Sequence, residues 1–176
     1  SFNYSRYAYL YTAAQLGIPS GSIITQIEWN KAAGTISANN TFNILLNNVS
    51  STSLASGTTW GTLTTGATTV YASTTQAFTA TAPGWESFTL STPFTYTGGN
   101  LLILTDHVKA GTASGANTYY YSSASGLAIG FASSSAPTTS TTLTTTYGNN
   151  RPNIRITYTA GSPCSGTPSP GNTLST

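Results

Sequence analysis

Large aliphatic residues never run for more than four positions in this chain; Leu101-Leu102-Ile103-Leu104 is the longest stretch. A membrane-spanning helix needs roughly 20 apolar residues in succession, and the sequence offers none. An amphipathic helix would repeat its apolar positions every three or four residues. The prevailing period here is two, which suits a pleated strand whose successive side chains point to opposite faces. From Ser22 to Trp29, Ile23, Thr25, Ile27 and Trp29 share one expected face, and Ile24, Gln26 and Glu28 the other. Thr41–Leu46, Thr68–Ala72, Leu127–Phe131 and Asn153–Tyr158 read as further strands. Gln76–Thr81 and Trp85–Leu90 flank Pro83-Gly84, a turn dipeptide that predicts a hairpin. The run at 101–104 predicts a strand buried on both faces. Thr12 to Gly17, with a Thr cap and a Gly stop, allows one or two helical turns at most. Strands at this spacing, without long helices, predict an all-β fold: a two-sheet β-sandwich, jelly-roll-like. No fixed-period repeat supports a β-helix.

Residues 1–159 carry these patterns and are expected to form the sandwich module. Residues 160–176 place Pro163, Pro168 and Pro170 among Gly and Ser, and read as a linker or the start of another domain. The lone cysteine, Cys164, lies in that tail and has no partner of its own type.

Charge restricts function more sharply than pattern does. Five Lys and Arg, three acids and one histidine give a net charge of +2. That is too little and too scattered for a phosphate-tracking surface, so nucleic acid is not an expected partner. Aromatics at 11% argue against disorder. Together with abundant Thr, Ser, Gly and Asn they point to an exported β-protein.

Few groups remain for chemistry. Glu28 and Glu86 are the only glutamates, each beside a Trp, and a glycosidase would need both at one bond. Neighbours on a strand point apart, so both glutamates read as solvent-facing or as partners of Arg151 or Arg155. Asp106-His107 meets the same objection, and His107 reads as a strand-end residue making a local hydrogen bond. One Cys and one His do not make a zinc site. A structural calcium would draw most of its oxygens from backbone and Asn carbonyls around Asp106. The reading assigns no catalytic residue, no metal ligand and no cofactor; the module is not expected to be an enzyme.

Binding is the remaining class. Trp29 and Trp85 sit in alternating patterns and are expected in the core. Trp60, between Thr59 and Gly61, looks loop-like and is the expected exposed platform. In Tyr119-Tyr120-Tyr121 at least one ring must turn away from the core if the segment is a strand. Trp60, Tyr119, Tyr120 and Tyr121 are therefore the candidate ligand-binding residues, suited to stacking on sugar rings.

Five segments taken in order carry a resemblance. They are Tyr9-Leu10-Tyr11-Thr12-Ala13-Ala14-Gln15-Leu16-Gly17, Ile23 to Trp29, Gly84-Trp85-Glu86-Ser87-Phe88, Pro93 to Leu101, and Arg151-Pro152-Asn153-Ile154-Arg155. The ensemble resembles jelly-roll-like β-sandwich modules of secreted and cell-surface multidomain proteins of the Bacteroidota. Those proteins leave the cell by type IX secretion and carry neighbouring fibronectin-III-like or immunoglobulin-like repeats. The tail at Cys164-Ser165-Gly166-Thr167-Pro168 looks like the entry to such an immunoglobulin-like repeat. The resemblance implies an adhesion or glycan-binding accessory module, secreted or at the cell surface. Its expected partners are a glycan or cell-surface polymer and neighbouring domains of the same chain. The alternative expectation is a structural spacer, or a subunit of a surface fibre that associates with itself.

Overall fold

One strand, β2 (Ile23–Val49), organises the molecule; it runs for 27 residues through a computed structural model that describes residues 2–111, 115–123 and 125–161. Before it come β1 (Tyr4–Tyr11) and a single helical turn, α1 (Ala13–Leu16). After it follow β3 (Thr58–Thr59), α2 (Trp60–Thr64), β4 (Thr68–Phe78), β5 (Gly84–Thr95) and β6 (Asn100–Val108). The chain continues through β7 (Gly115–Tyr119), β8 (Tyr121–Ser123), β9 (Ala128–Ser133), β10 (Thr142–Leu143), β11 (Asn150–Pro152) and β12 (Ile154–Thr159). The fold is all-β.

Residues of β2 with two partners define its edges. Glu28 lies between Arg155 and Ser87, Ile36 between Gly115 and Phe78, and Phe42 between His107 and Ser73. One edge of β2 thus carries β12, β7 and β6 in turn, and the other carries β5 and then β4. The first half of β2 belongs to a layer β12-β2-β5; the second half belongs to β4-β2-β6-β1-β9. Between the halves, Gly34 (φ 87°) and Asn39 (φ 73°) take the left-handed backbone region. Such residues turn a strand without ending its ladder.

The two halves then face each other across one core. Ile24, Ile27 and Phe88 from the first layer meet Ile44, Leu101 and Ile103 from the second, and Trp29 packs edge-on to Phe42 at 6.2 Å. Each such side chain, fully buried, contributes about 1.5–3 kcal/mol. This is the sandwich that the alternation predicts.

The expected double burial of 101–104 also holds. Leu101 and Ile103 enter the core between the layers. Leu102 and Leu104 point the other way, into a second core with Leu10 and Ile129 beneath Trp60, Leu63 and Leu143. The helical turn after β1 ends at Gly17, in the left-handed region at φ 60°, as its sequence suggests. There the Gln15 amide oxygen accepts from the Thr12 N–H at 3.0 Å.

Two local expectations are corrected. Pairing of β2 with both β5 and β12 shifts register around Thr25, a β-bulge. The extra residue reverses the phase ahead of it, so Ile24 is buried with Ile27 and Trp29 while Ile23 is 42% exposed. The segments flanking Pro83-Gly84 do not form a hairpin ladder either. β4 and β5 each pair with β2, because its long edge offers both more ladder than they could give each other. The residues from 162 onward, including Cys164, lie outside the described part of the chain.

Candidate functional site

Where β2 bends, the layers splay and leave a cavity of about 530 Å3. Its floor is the aromatic part of the core: Trp29, Phe42, Phe78 and Phe88. Phe42 meets Phe78 at 5.1 Å, and Trp29 meets Phe88 at 4.9 Å, both edge to face. This arrangement lets the positive edge of one ring touch the negative face of the next. One wall is β1, whose Tyr7 and Tyr9 lie two residues apart on one face and stack nearly parallel at 5.8 Å. The opposite wall is β7, which brings Asn117 and Tyr119. Tyr121 and Asn150, both exposed, stand at the mouth.

The polar groups of the cavity are few and underused. His107, on β6, reaches between Phe42 and Phe78. Its Nε2 is buried without a hydrogen-bond partner among the described residues, and so is Asn117 Oδ1. Asn117 Nδ2 donates to the Tyr119 hydroxyl at 3.2 Å. Burial pushes the His107 pKa down, with Lys109 adding to the shift and Asp106 opposing it. The ring is therefore neutral at neutral pH. Burial likewise raises the pKa of Tyr119 and of Tyr9, so both phenols keep their protons.

The depressed His107 pKa has a stability consequence. Below its ordinary pKa of about 6.5 the unfolded chain takes up a proton that the folded chain refuses. Stability present above that pH is then lost as pH falls toward the folded value. Denaturant titrations across this window should show a declining free energy for the native chain and a flatter profile for His107→Asn. Equal slopes would remove His107 as the cause.

The candidate tyrosines divide. Tyr119 forms a cavity wall and Tyr121 its rim, while Tyr120 is 46% exposed and contributes nothing to the lining. Trp60 is a correction. It is only 6% exposed, packed in the second core with the Arg6 guanidinium 4.7 Å above its ring. The reason is local: the Thr59 hydroxyl accepts from the Thr62 N–H and starts a helical turn, α2, which rolls the indole inward.

Neither glutamate faces solvent; Glu28 is the partner of Arg155, one of the two expected alternatives, whereas Glu86 meets neither. Glu28 is buried on the outer face of its layer, held by Arg155 and by the Ser87 hydroxyl at 2.6 Å. The Arg155 hydrogen bonds lower its pKa to about 2 against the cost of burial, with Ser87 helping. Glu86 faces inward instead, opposite Trp29 in the ladder. Its carboxylate accepts from Lys31 Nζ at 2.9 Å, and Lys31 is itself fully buried. Trp85 is half-buried rather than core, lying under the Arg155 guanidinium at 4.6 Å. Asp106 binds Arg6 at 3.2 Å.

Sequence reasoning missed Phe42, Phe78 and His107 as site residues, because no motif links them. They meet only through the register of β4, β2 and β6. No family model matches the chain, and comparison with curated proteins and with solved structures gives no match.

Proposed function

We propose that the protein is a non-catalytic extracellular adhesion or glycan-binding module that takes a sugar ring into the cavity between its layers. The observation that carries this reading is the cavity itself, with stacked Tyr7 and Tyr9 on one wall, Tyr119 on another, and Tyr121 and Asn150 exposed at its mouth. Aromatic faces suit the C–H faces of a pyranose, and concave, mostly apolar sites with a few placed polar groups are the usual form of small-ligand sites. The Asn150 amide and the Tyr121 hydroxyl at the mouth can pair with sugar hydroxyls.

The reading as a binder rather than an enzyme is supported by where the acids are. Each of the three carboxylate side chains is held by a cation: Glu28 by Arg155, Glu86 by Lys31 and Asp106 by Arg6. General acid–base catalysis needs a group free to exchange a proton with the substrate.

A glycan array followed by titration of the best hits tests the assignment. Tyr119→Ala should weaken binding by at least about tenfold, the worth of one stacking or hydrogen-bonding contact near 1.4 kcal/mol. Tyr120→Ala, outside the cavity, should leave it unchanged. No glycan bound by the native chain, or equal losses in the two variants, would overturn the reading.

A further inference from the structure

A second concavity, of about 390 Å3, lies where α1 meets β11 and β12. Its basic group is Arg151, only 8% exposed. The guanidinium lies 4.3 Å over the Tyr11 ring, and Nη1 donates to the Leu10 carbonyl and to Gln15 Oε1 at 2.9 Å. All of these partners are neutral. Nε and Nη2 make no hydrogen bond with any described residue, and neither is among the fully enclosed, unpartnered atoms.

Burying a cation without a counter-charge is costly, and arginines are almost never buried unless paired. Here the pairing cannot come from another side chain. The chain has three acidic side chains, and each is bound to a different cation. The remaining cation with no carboxylate, Lys109, is held by the Gly115 carbonyl near the surface. Arg151 alone combines burial, a charge without a counter-ion and a cavity beside it.

We propose that this cleft is a binding site for a small organic carboxylate. Two unused N–H groups of one planar guanidinium suit a carboxylate, whose two oxygens accept side by side. The Tyr11 ring and the bonds from Nη1 hold the fork in place before the ligand arrives. Leu16, Ile18, Ile154 and Ile156 give the rest of the wall an apolar part, but with Gln15, Ser122 and Asn153 the open lining as a whole is more polar than apolar. Ser122 Oγ and Asn153 Oδ1 are already bonded to each other at 3.0 Å. The cleft adjoins the aromatic cavity at Pro152, which lines both, but Arg151 lines the cleft alone.

The native chain can be tested with paired probes, N-acetyl-leucine and its amide, with galacturonate as a third. Backbone and arginine Nε resonances would be followed by NMR during titration. The acid should shift Arg151 Nε and the amides of Ile154 and Ile156, and bind at least about tenfold more tightly than the amide, as expected for loss of a charge-assisted bidentate pair. Arg151→Lys, which keeps the charge but not the fork, should lose most of that preference. Acid and amide binding alike, or no shift of Arg151 Nε with either N-acetyl-leucine or galacturonate, would overturn the proposal. Because the readout is local to Arg151, it is independent of any glycan result at Tyr119.

Discussion

Lys31→Met should cost about 3–5 kcal/mol of folding free energy, the usual penalty for leaving one partner of a buried ion pair uncompensated. Lys31 is fully buried; its Nζ donates to Glu86 Oε2 and to the Phe78 carbonyl, both at 2.9 Å. The substitution strands Glu86 beside Trp29 with no cation in reach. For a domain of this size each kcal/mol lowers the melting temperature by roughly 2–4 °C, so a fall of about 10 °C is expected by calorimetry. The double variant Lys31→Met/Glu86→Leu should recover most of the loss, because replacing both members of a buried pair is often neutral. It should stay slightly below the native chain, since the Phe78 carbonyl loses a donor worth about 1 kcal/mol. A single variant within about 1 kcal/mol of native would show that water reaches the pair and that the charge is not buried in effect.

Gly34→Ala should detach β7 from β2. Gly34 sits at φ 87°, where a side chain is strained, and a Cβ there would lie 1.9 Å from the Ala116 carbonyl oxygen. The contact is reciprocal, as a Cβ on Gly115 would lie 1.9 Å from the Thr35 carbonyl oxygen. Neither backbone can yield without breaking the ladder that joins them. Strain and displacement together should cost about 3 kcal/mol. The more telling result concerns the cavity, because β7 carries Asn117 and Tyr119. Hydrogen exchange at residues 115–119 should accelerate strongly while β6, sealed between two cores, stays protected. Glycan affinity should fall with it. Unchanged exchange along β7 would contradict the close approach.

What the sequence reveals and hides follows from how far apart the determinants lie. The double burial of β6 was legible because four aliphatic residues in a row leave a strand no polar face. The stop at Gly17 was legible because cap and glycine are local. The phase of Ile23 and Ile24 was not, since the bulge at Thr25 is fixed by β5 and β12, about 60 and 130 residues away along the chain. No strand is predicted between Trp29 and Thr41, yet the ladder continues there, where β7 packs against the bare Gly34. Lys31 gave no sign of burial, as its partner Glu86 is named only by the β2–β5 register. Of the binding candidates, Tyr119 and Tyr121 line the cavity and Tyr120 does not. Trp60 misled because Thr and Gly neighbours suit a capped helical turn as well as a loop.

The continuity of β2 also sets how the molecule can come apart. A sandwich whose halves are joined by loops can lose one half and keep the other. Here a single backbone runs through both halves, as the middle strand of one and an interior strand of the other, so neither keeps its sheet intact without it. Loosening at Gly34 would spread into both hydrophobic interiors, and pulling on either layer loads the same covalent thread. The protein should therefore yield as one mechanical unit.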